Sequence, residues 1–209
     1  MRFSGCHSLG VIIPQNLVSI GRYAFYKCWL DSITIPKKLT NIDKCAFKGC
    51  HYNCENLEII VDESNPKYDS RENCNAIIET KSNTLFIGCD TTKIPNSVKF
   101  IGEGAFQDCY LTSFVLPKSM EYIGKRAFDG CTNMTYITIL GNPTIMDEAF
   151  KKSNSFRDLY CYSEEIPEVH NAFEGLDISL ITLHVPTDVF ENYRNIEPWC
   201  KFGSIVSFK

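Results

Sequence analysis

Apolar and small residues recur along the chain with a period of 22 residues. The pair Ala-Phe occurs six times, and its phenylalanines are Phe25, Phe47, Phe106, Phe128, Phe150 and Phe173. An isoleucine lies five residues before the first five of them, and a cysteine follows four of them by three residues. Neighbouring copies are 22 or 23 residues apart, except that 37 further residues separate Phe47 from Phe106. A fixed period of this length predicts a repeat protein.

A short alternating segment in each unit predicts one β-strand per repeat. Ile33-Thr34-Ile35 runs into Pro36, and Phe114-Val115-Leu116 runs into Pro117. Alternation buries one face of a strand, and proline ends the strand because it cannot donate to a sheet ladder. Since 22 residues cannot bury their own apolar side chains, the units must stack on one another. With about 4.8 Å per strand, about eight coils make a solenoid on the order of 40 Å long.

The 37 additional residues predict one enlarged coil, over residues 62–95. Two β-rich runs, 76–80 and 84–88, flank the polar turn Lys81-Ser82-Asn83, which is typical of a hairpin. A further strand is expected near residues 92–94, where the next regular coil should resume. The sequence therefore predicts that the hairpin is an insertion within one coil of the stack.

The C-terminal end departs from the repeat and predicts a cap over residues 187–209. Thr187-Asp188 is a candidate N-cap for a short helix over residues 189–194, and Trp199 adds apolar bulk. A solenoid needs such a cap because an open end exposes apolar core and a strand edge. Residues 1–209 are therefore predicted to form a single solenoid domain with one enlarged coil and a C-terminal cap.

Charge and hydropathy exclude two classes of partner. Lysine and arginine number 21 against 25 acidic residues, a formal net charge of −4, so no basic excess attracts nucleic acid or an anionic membrane surface. The longest apolar runs are far shorter than the roughly 20 residues of a membrane helix. The first residues lack the long apolar core of a signal peptide. We expect no nucleic-acid partner and no membrane insertion.

Eleven cysteines are the unusual feature of the composition. Five of them share the repeat position three residues after the phenylalanine: Cys6, Cys28, Cys50, Cys109 and Cys131. Because free cysteine packs as a small hydrophobe, we interpret these residues as a column of buried thiols rather than as disulfides. Zinc is an alternative, since four possible ligands lie within ten residues: Cys45, Cys50, His51 and Cys54. Their spacing fits no recognised zinc motif, and we expect no metal.

No arrangement of residues predicts catalysis. The four histidines, His7, His51, His170 and His184, fall at unrelated positions of the repeat. The sequence has no Gly-x-Ser-x-Gly, phosphate-binding loop or His-Glu-x-x-His motif. An acidic cluster at Glu164, Glu165 and Glu168 is interpreted as a solvated loop, with calcium or a basic partner as the alternatives. We therefore expect a protein that is not an enzyme and carries no cofactor.

One copy of the repeat carries a family resemblance in full. Its residues Ile101-Gly102, Ala105-Phe106, Cys109, Leu111 and Phe114-Val115-Leu116-Pro117 resemble the unit of the BspA-type leucine-rich repeats. The enlarged segment over 65–78 and the ending from Thr182 to Trp199 are similar to variants of that family. The resemblance implies a right-handed leucine-rich-repeat solenoid of the alpha-beta horseshoe type, rich in β-strand with little helix. It also implies a non-enzymatic binding role, commonly adhesion to host proteins at a bacterial surface.

Residues that point outward from the strands are the candidate ligand-binding residues. By the strand period of two, they alternate with the buried pair of each strand and should form the concave face of the solenoid. The candidates are Ser32, Thr34, Lys93, Ser113, Val115, Tyr136, Thr138, Thr182 and His184. Tyr136 is the expected anchor, because aromatic residues dominate interface energetics. β propensity alone would also select many of these residues, so a merely solvated sheet is the alternative.

These features predict a binding module that is displayed on the cell surface or secreted, with a protein or a glycan as its partner. The lack of catalytic groups and the extended face of a solenoid both favour binding. A second hypothesis is an intracellular scaffold, or a structural segment of a larger protein, and the missing signal peptide favours it. A leader or further repeats encoded upstream of Met1 would favour the surface.

Overall fold

A computed structural model of the chain describes residues 9–50 and 57–209. Its first strands are β1 (Leu9–Val11), β2 (Ser19–Ile20), β3 (Leu30–Ile35), β4 (Asn41–Ile42), β5 (Glu58–Val61), β6 (Tyr68–Asp69), β7 (Ile77–Glu79) and β8 (Thr84–Ile87). The later strands are β9 (Phe100–Ile101), β10 (Ser113–Leu116), β11 (Tyr122–Ile123), β12 (Tyr136–Ile139), β13 (Thr144–Ile145), β14 (Asp158–Cys161), β15 (Thr182–Pro186) and β16 (Ser204–Phe208). Helix in these residues is limited to the one-turn α1 (Phe190–Tyr193) and the 3₁₀ turns Arg71–Asn73, Ile178–Leu180, Thr187–Val189 and Trp199–Lys201.

The strands stack in parallel into two columns. In the first column β1, β3 and β5 form a three-stranded sheet, and β10, β12, β14, β15 and β16 form a five-stranded sheet. In the second column β2 pairs with β4, and β11 lies between β9 and β13 and pairs with both. Equivalent residues of successive coils face each other, as Phe114, Ile137 and Leu159 do. This arrangement confirms the predicted β-solenoid of about eight turns with little helix.

The enlarged coil contains the predicted hairpin. β7 and β8 pair antiparallel around the turn at residues 80–83, and β6 extends the hairpin by pairing with β7. The hairpin joins the second column because β8 pairs in parallel with β9, which sets Leu85 beside Ile101. The hairpin therefore supplies the strand that a regular coil contributes to this column.

The strand expected near residues 92–94 is absent from the structure, and that prediction is wrong. The Thr92 hydroxyl donates to the Asn75 carbonyl at 2.7 Å. The Lys93 N–H donates to the Cys74 carbonyl at 3.0 Å. These bonds hold the segment against another part of the enlarged coil instead of aligning it with a neighbouring strand. As a result, the first column is interrupted between β5 and β10.

Stacked phenylalanine rings fill the centre of the coils. The ring centroids are 5.0 Å apart for Phe25 and Phe47, 5.2 Å for Phe106 and Phe128, 5.6 Å for Phe128 and Phe150, and 5.7 Å for Phe150 and Phe173. The planes of these pairs lie within 12° of parallel. One residue type at one repeat position thus builds a continuous core on each side of the enlarged coil.

Gly88 takes the place of the phenylalanine in the enlarged coil. Its N–H donates to the Ala105 carbonyl at 2.9 Å, just as the Phe106 N–H donates to the Ala127 carbonyl at 2.8 Å. A Cβ on Gly88 would lie 2.1 Å from Cε1 of Phe106. The ring of Phe106 therefore occupies the space that a side chain at Gly88 would need.

Buried apolar side chains form two clusters that meet at the enlarged coil. One cluster holds the coils before the hairpin and the other holds the coils after it. In the hairpin, Ile77 packs in the first cluster and Ile78 in the second, because successive side chains of a strand point to opposite faces. On β8, Ile87 packs in the first cluster and Leu85 in the second, at the point where the pairing of β7 with β8 shifts register between Ile77 and Ile78. The hairpin is thus the connection between the two clusters.

The C-terminal cap contains more than the predicted short helix. Tyr193, Trp199 and Phe202 are buried, and β16 pairs in parallel with β15 as a strand that the sequence analysis did not predict. Thr187 does not cap the helix as expected, because its hydroxyl donates to the Phe208 carbonyl at 3.0 Å. The Thr187 side chain thus links the start of the cap to its last strand.

The cysteine column is confirmed for its described members, whereas Cys6 lies outside the described residues. Its members Cys28, Cys50, Cys109 and Cys131 are buried thiols. The Cys131 thiol donates to the Phe106 carbonyl at 3.2 Å, and in the next coil the Ser153 hydroxyl donates to the Phe128 carbonyl at 2.8 Å. Burial raises the pKa of Cys131 well above its ordinary value, so the thiol stays protonated. The position therefore requires a small side chain that can donate a hydrogen bond.

Candidate functional site

The outward face of the five-stranded sheet carries the candidate site. Its residues lie in two rows set by the parallel register. One row is Ser113, Tyr136, Asp158, Thr182 and Ser204, and the other is Val115, Thr138, Tyr160, His184 and Val206. Residues that alternate with them, such as Ile137 and Leu159, are buried in the core. Because neighbouring strands are about 4.8 Å apart, the outward side chains form one continuous surface.

Three ring side chains meet at the centre of this face. Tyr160 and His184 stack with centroids 4.1 Å apart and planes 11° apart. Tyr136 meets Tyr160 edge to face, with centroids 6.0 Å apart and planes at 83°. Tyr136 is 41% exposed, so the group presents an aromatic surface to solvent. Stacked and edge-to-face aromatic pairs contribute about 0.5–1.5 kcal/mol beyond their buried area, which stabilises this arrangement.

Asp158 fixes the orientation of His184. Nε2 of His184 lies 2.8 Å from Oδ1 of Asp158, and because an ionised carboxylate only accepts, Nε2 is the donor. The hydrogen bond and the stack on Tyr160 hold the imidazole ring from two directions. Side chains that are already ordered lose less conformational entropy when a partner binds. The group is therefore a preorganised surface with a polar edge.

Two further apolar side chains are exposed where the repeat elsewhere has proline. Leu140 follows β12 and Tyr162 follows β14, in the position that Pro117 takes after β10. Tyr162 is 46% exposed and packs on Phe208, with ring centroids 4.6 Å apart. The stack of coils does not need a large apolar side chain at this position, because proline serves there in other repeats. These residues extend the exposed apolar surface along the end of the sheet.

The structure brings six of the nine predicted binding residues together on this face: Ser113, Val115, Tyr136, Thr138, Thr182 and His184. Ser32 and Thr34 lie on β3, in the separate three-stranded sheet. Lys93 is not on a strand, but it lines an open groove of about 640 Å³ together with Ser113 and Val115. The predicted concave face is therefore divided by the enlarged coil.

Asp158 and Tyr160, at the centre of the face, were missed by the sequence analysis. Their strand, Asp-Leu-Tyr-Cys, is followed by Tyr162 rather than by proline, and it lacks the Ile-Thr-Ile alternation that marks β12. The repeat spacing contains the information, because Asp158 lies 22 residues after Tyr136 and Tyr160 lies 22 residues after Thr138. Applying the period to each outward residue would have found both.

The described residues contain no group of three or more His, Cys, Asp and Glu side chains placed to hold a metal ion. Among the zinc candidates, Cys50 is buried in the cysteine column, and Cys45 is half-buried with its N–H donating to Oδ1 of Asp43 at 2.8 Å. His51 and Cys54 lie outside the described residues.

The acidic cluster divides between two places. Glu164 and Glu165 line a small open pocket of about 320 Å³ beside Tyr162, and Glu165 accepts from Nδ2 of Asn142 at 3.3 Å. Glu168 lies apart from them, with its carboxylate 3.7 Å from Nε2 of His170. The two glutamates of the pocket place negative charge at the end of the aromatic surface.

The description "BspA type Leucine rich repeat region" belongs to the family model that matches residues 1–85 and 79–197, with six copies of the repeat. The chain belongs to the BspA-type leucine-rich repeat family. No curated protein sequence matches it. Across residues 9–50 and 57–209, no helix has the length and apolar character needed to cross a membrane.

Two solved bacterial structures are similar to this BspA-type chain. One is a leucine rich cell surface protein from Faecalibacterium prausnitzii, with 26% identity and a TM-score of 0.60 over 94% of this chain and 52% of that one. The other is a leucine-rich repeat protein from Eubacterium ventriosum, with 20% identity and a TM-score of 0.57 over 98% of this chain and 54% of that one. The chain thus spans about half the length of these solved relatives.

Proposed function

We propose that this BspA-type protein is a non-enzymatic binding module whose protein partner docks on the outward face of the five-stranded sheet. The observation that carries the proposal is the packed group of Tyr136, Tyr160 and His184, in which Asp158 orients the imidazole of His184. Stacking of the coils explains why the inward residues are apolar. It does not determine which residue types occupy the outward positions. Exposed, ordered tyrosines are the residues that most often dominate a protein interface.

Display on a bacterial surface and adhesion to a host protein complete the proposal. One similar structure is named as a cell surface protein, and this supports the location by family likeness. Digestion of intact cells with protease, followed by detection of the chain, tests the location. Loss of the chain from intact cells is expected, and full protection would place it inside the cell.

Binding to an array of extracellular-matrix proteins and glycans tests the proposed face. We expect the wild-type protein to bind a protein on the array, and the double variant Tyr136→Ala with Thr138→Arg to bind it about 30-fold more weakly or worse. The reason is that removing a central aromatic anchor costs 2 kcal/mol or more, a factor of about 30. Arginine in place of Thr138 also adds bulk and charge beside Tyr160.

The matched control is Thr34→Arg on the three-stranded sheet. Thr34 occupies the same outward strand position as the half-buried Thr138, but it is exposed and lies outside the aromatic group. Circular dichroism of all variants verifies that the solenoid is intact. Equal affinity of the wild type and the double variant would contradict the proposed face, and binding only to glycans would contradict the protein partner.

A further inference from the structure

The turns that contain the Ala-Phe pairs are joined by a regular set of backbone hydrogen bonds. In the first described coil the Phe25 N–H donates to the Ala46 carbonyl at 2.8 Å, and the Lys27 N–H donates to the Lys48 carbonyl at 3.1 Å. The turn at Phe106 repeats this pattern toward the turn at Phe128. Each such turn therefore presents two N–H donors to the coil that follows it.

The enlarged coil lacks this turn, and a notch is left in its place. Gly88 makes one of the expected bonds, to the Ala105 carbonyl, but the residues before it form the hairpin strand β8 instead of a turn. In the described parts of the chain, the N–H groups of Phe47 and Gly49 have no hydrogen-bond acceptor and the Gln107 carbonyl has no donor. By equivalence with the regular turns, the two N–H groups point into the notch from one side and the carbonyl points into it from the other.

The notch opens into a cavity of about 650 Å³, which Lys48 lines from one side of the notch and Gln107 from the other. Its walls are Tyr26, Lys27, Trp29, Lys48, Gln107, Asp108, Arg126, Asp129, Lys151 and Lys152. Ligand sites are typically about 300–1,000 Å³, so the notch is large enough for a short peptide segment. Trp29 is 39% exposed and places an aromatic ring at its rim.

Basic side chains outnumber acidic ones in the notch by five to two, although the whole chain has a net charge of −4. Glu148 forms ion pairs with Arg126 and Lys151. The remaining three lysines, Lys27, Lys48 and Lys152, form no ion pair within 4 Å in the described chain. Burial raises the pKa of Asp108, and the positive charges of these three lysines oppose that rise.

We propose that the notch binds an acidic peptide segment of a partner protein, which lies where the missing turn would be. A polypeptide offers carbonyl groups to the N–H groups of Phe47 and Gly49, and it offers an N–H to the Gln107 carbonyl. The thickness of one extended chain also matches the missing layer of about 4.8 Å. Aspartate or glutamate side chains fit the excess of lysine. This site is separate from the outward face of the five-stranded sheet.

Fluorescence of Trp29 provides the test, because the other tryptophan, Trp199, is buried in the C-terminal cap. The probes are capped hexapeptides of glutamate, glutamine and lysine, added to the whole chain at low salt. We expect only the glutamate peptide to give a saturable change, with a Kd below about 1 mM. Trp29→Phe should remove the signal, which shows that it arises at the notch.

Charge reversal locates the site. Lys27→Glu with Lys48→Glu should weaken the glutamate peptide at least about tenfold, since two exposed pairs are replaced by repulsion. The control, Lys81→Glu with Lys118→Glu, makes the same charge change on exposed lysines outside the notch and should retain binding. Saturation by the glutamine or lysine peptide to the same degree, an equal loss in the control, or no saturable change with any peptide would overturn the proposal.

Discussion

At the scale of single residues, the repeat separates positions that stacking dictates from positions that it leaves free. The position three residues after the phenylalanine shows the first kind, because cysteine and Ser153 both donate there to the carbonyl of the preceding coil. The strand positions of Tyr136 and Tyr160 show the second kind, because they face solvent and vary between coils. Function in a repeat protein is therefore best sought in residues that the stack does not explain.

Glu148 is a charged residue whose role is set by its surroundings rather than by the repeat. It is buried and forms ion pairs with Arg126 and Lys151, with Lys125 at 4.0 Å. The hydrogen bonds from Arg126 and Lys151 lower the pKa of Glu148 from its ordinary value of 4.5 to about 2. Because the pKa is lower in the folded state, ionised Glu148 stabilises the fold above pH 4.5, and this contribution is lost as the pH falls toward 2.

The variant Glu148→Gln should therefore be less stable than the wild type at pH 7. The difference in the free energy of unfolding should persist down to about pH 5 and shrink between pH 4.5 and 2. Urea denaturation at a series of pH values measures it. Glu63→Gln, at an exposed glutamate without an ion pair in the described chain, is the control. A difference that stays constant from pH 7 to 2 would contradict this account of the ion pairs.

At the scale of elements, the enlarged coil replaces a core phenylalanine with glycine, and the neighbouring ring fills the gap. Gly88→Ala places a methyl group 2.1 Å from Cε1 of Phe106, which is itself fully buried in the ring stack. Since the ring has no space to move away, we expect a loss of about 1–3 kcal/mol in the free energy of unfolding, as for other overpacked cores. Chemical denaturation provides the measurement.

Gly21→Ala is the matched control for that substitution. A Cβ at Gly21 would meet nothing within 4 Å, so the variant should retain a stability close to that of the wild type. Gly21 also belongs to an Ile-Gly pair of the repeat, which makes the comparison one between two glycines of the same solenoid. Equal stability of Gly88→Ala and Gly21→Ala would contradict the close packing of the Phe106 ring against Gly88.

Strands with a clear repeat pattern in the sequence were predicted correctly, whereas two strands with a weaker pattern were missed. β3 and β10 were predicted because each alternates and then meets proline. β14 and β16 were missed although both pair in parallel with their neighbours, because neither is followed by proline and neither has the Ile-Thr-Ile alternation that marks β12. The strand near Lys93 was wrong because side-chain bonds of Thr92 hold that segment locally. Stacking and local hydrogen bonds, rather than propensity, decided these cases.

The candidate site was also predicted only in part. Tyr136 and His184 were found because their strands carry the repeat signal. Their contacts were not, since the stack of His184 on Tyr160 and its hydrogen bond to Asp158 depend on β14. The notch could not be predicted. The 37 additional residues indicate an enlarged coil, but they give no sign that this coil lacks a turn.

At the scale of the whole molecule, the two core clusters predict two regions that differ in their local free energy of unfolding. In a solenoid each coil contacts only its neighbours, so stability is close to a sum of coil and interface terms. The connection between the clusters is the hairpin, where Ile77 and Ile78 point to opposite clusters. Damage to one cluster should therefore reach the other only through the few side chains of this hairpin.

Phe128→Ala tests this separation. Removing the ring should cost about 3–5 kcal/mol in the second cluster. Hydrogen exchange measured by mass spectrometry should then show amides of β12 and β14 exchanging at least about 100-fold faster, while those of β3 and β5 change much less. Phe25→Ala, in the first cluster, should give the reverse pattern. An equal rise in both regions for either variant would mean that the hairpin couples the clusters into one cooperative unit, and that local damage spreads through the entire solenoid.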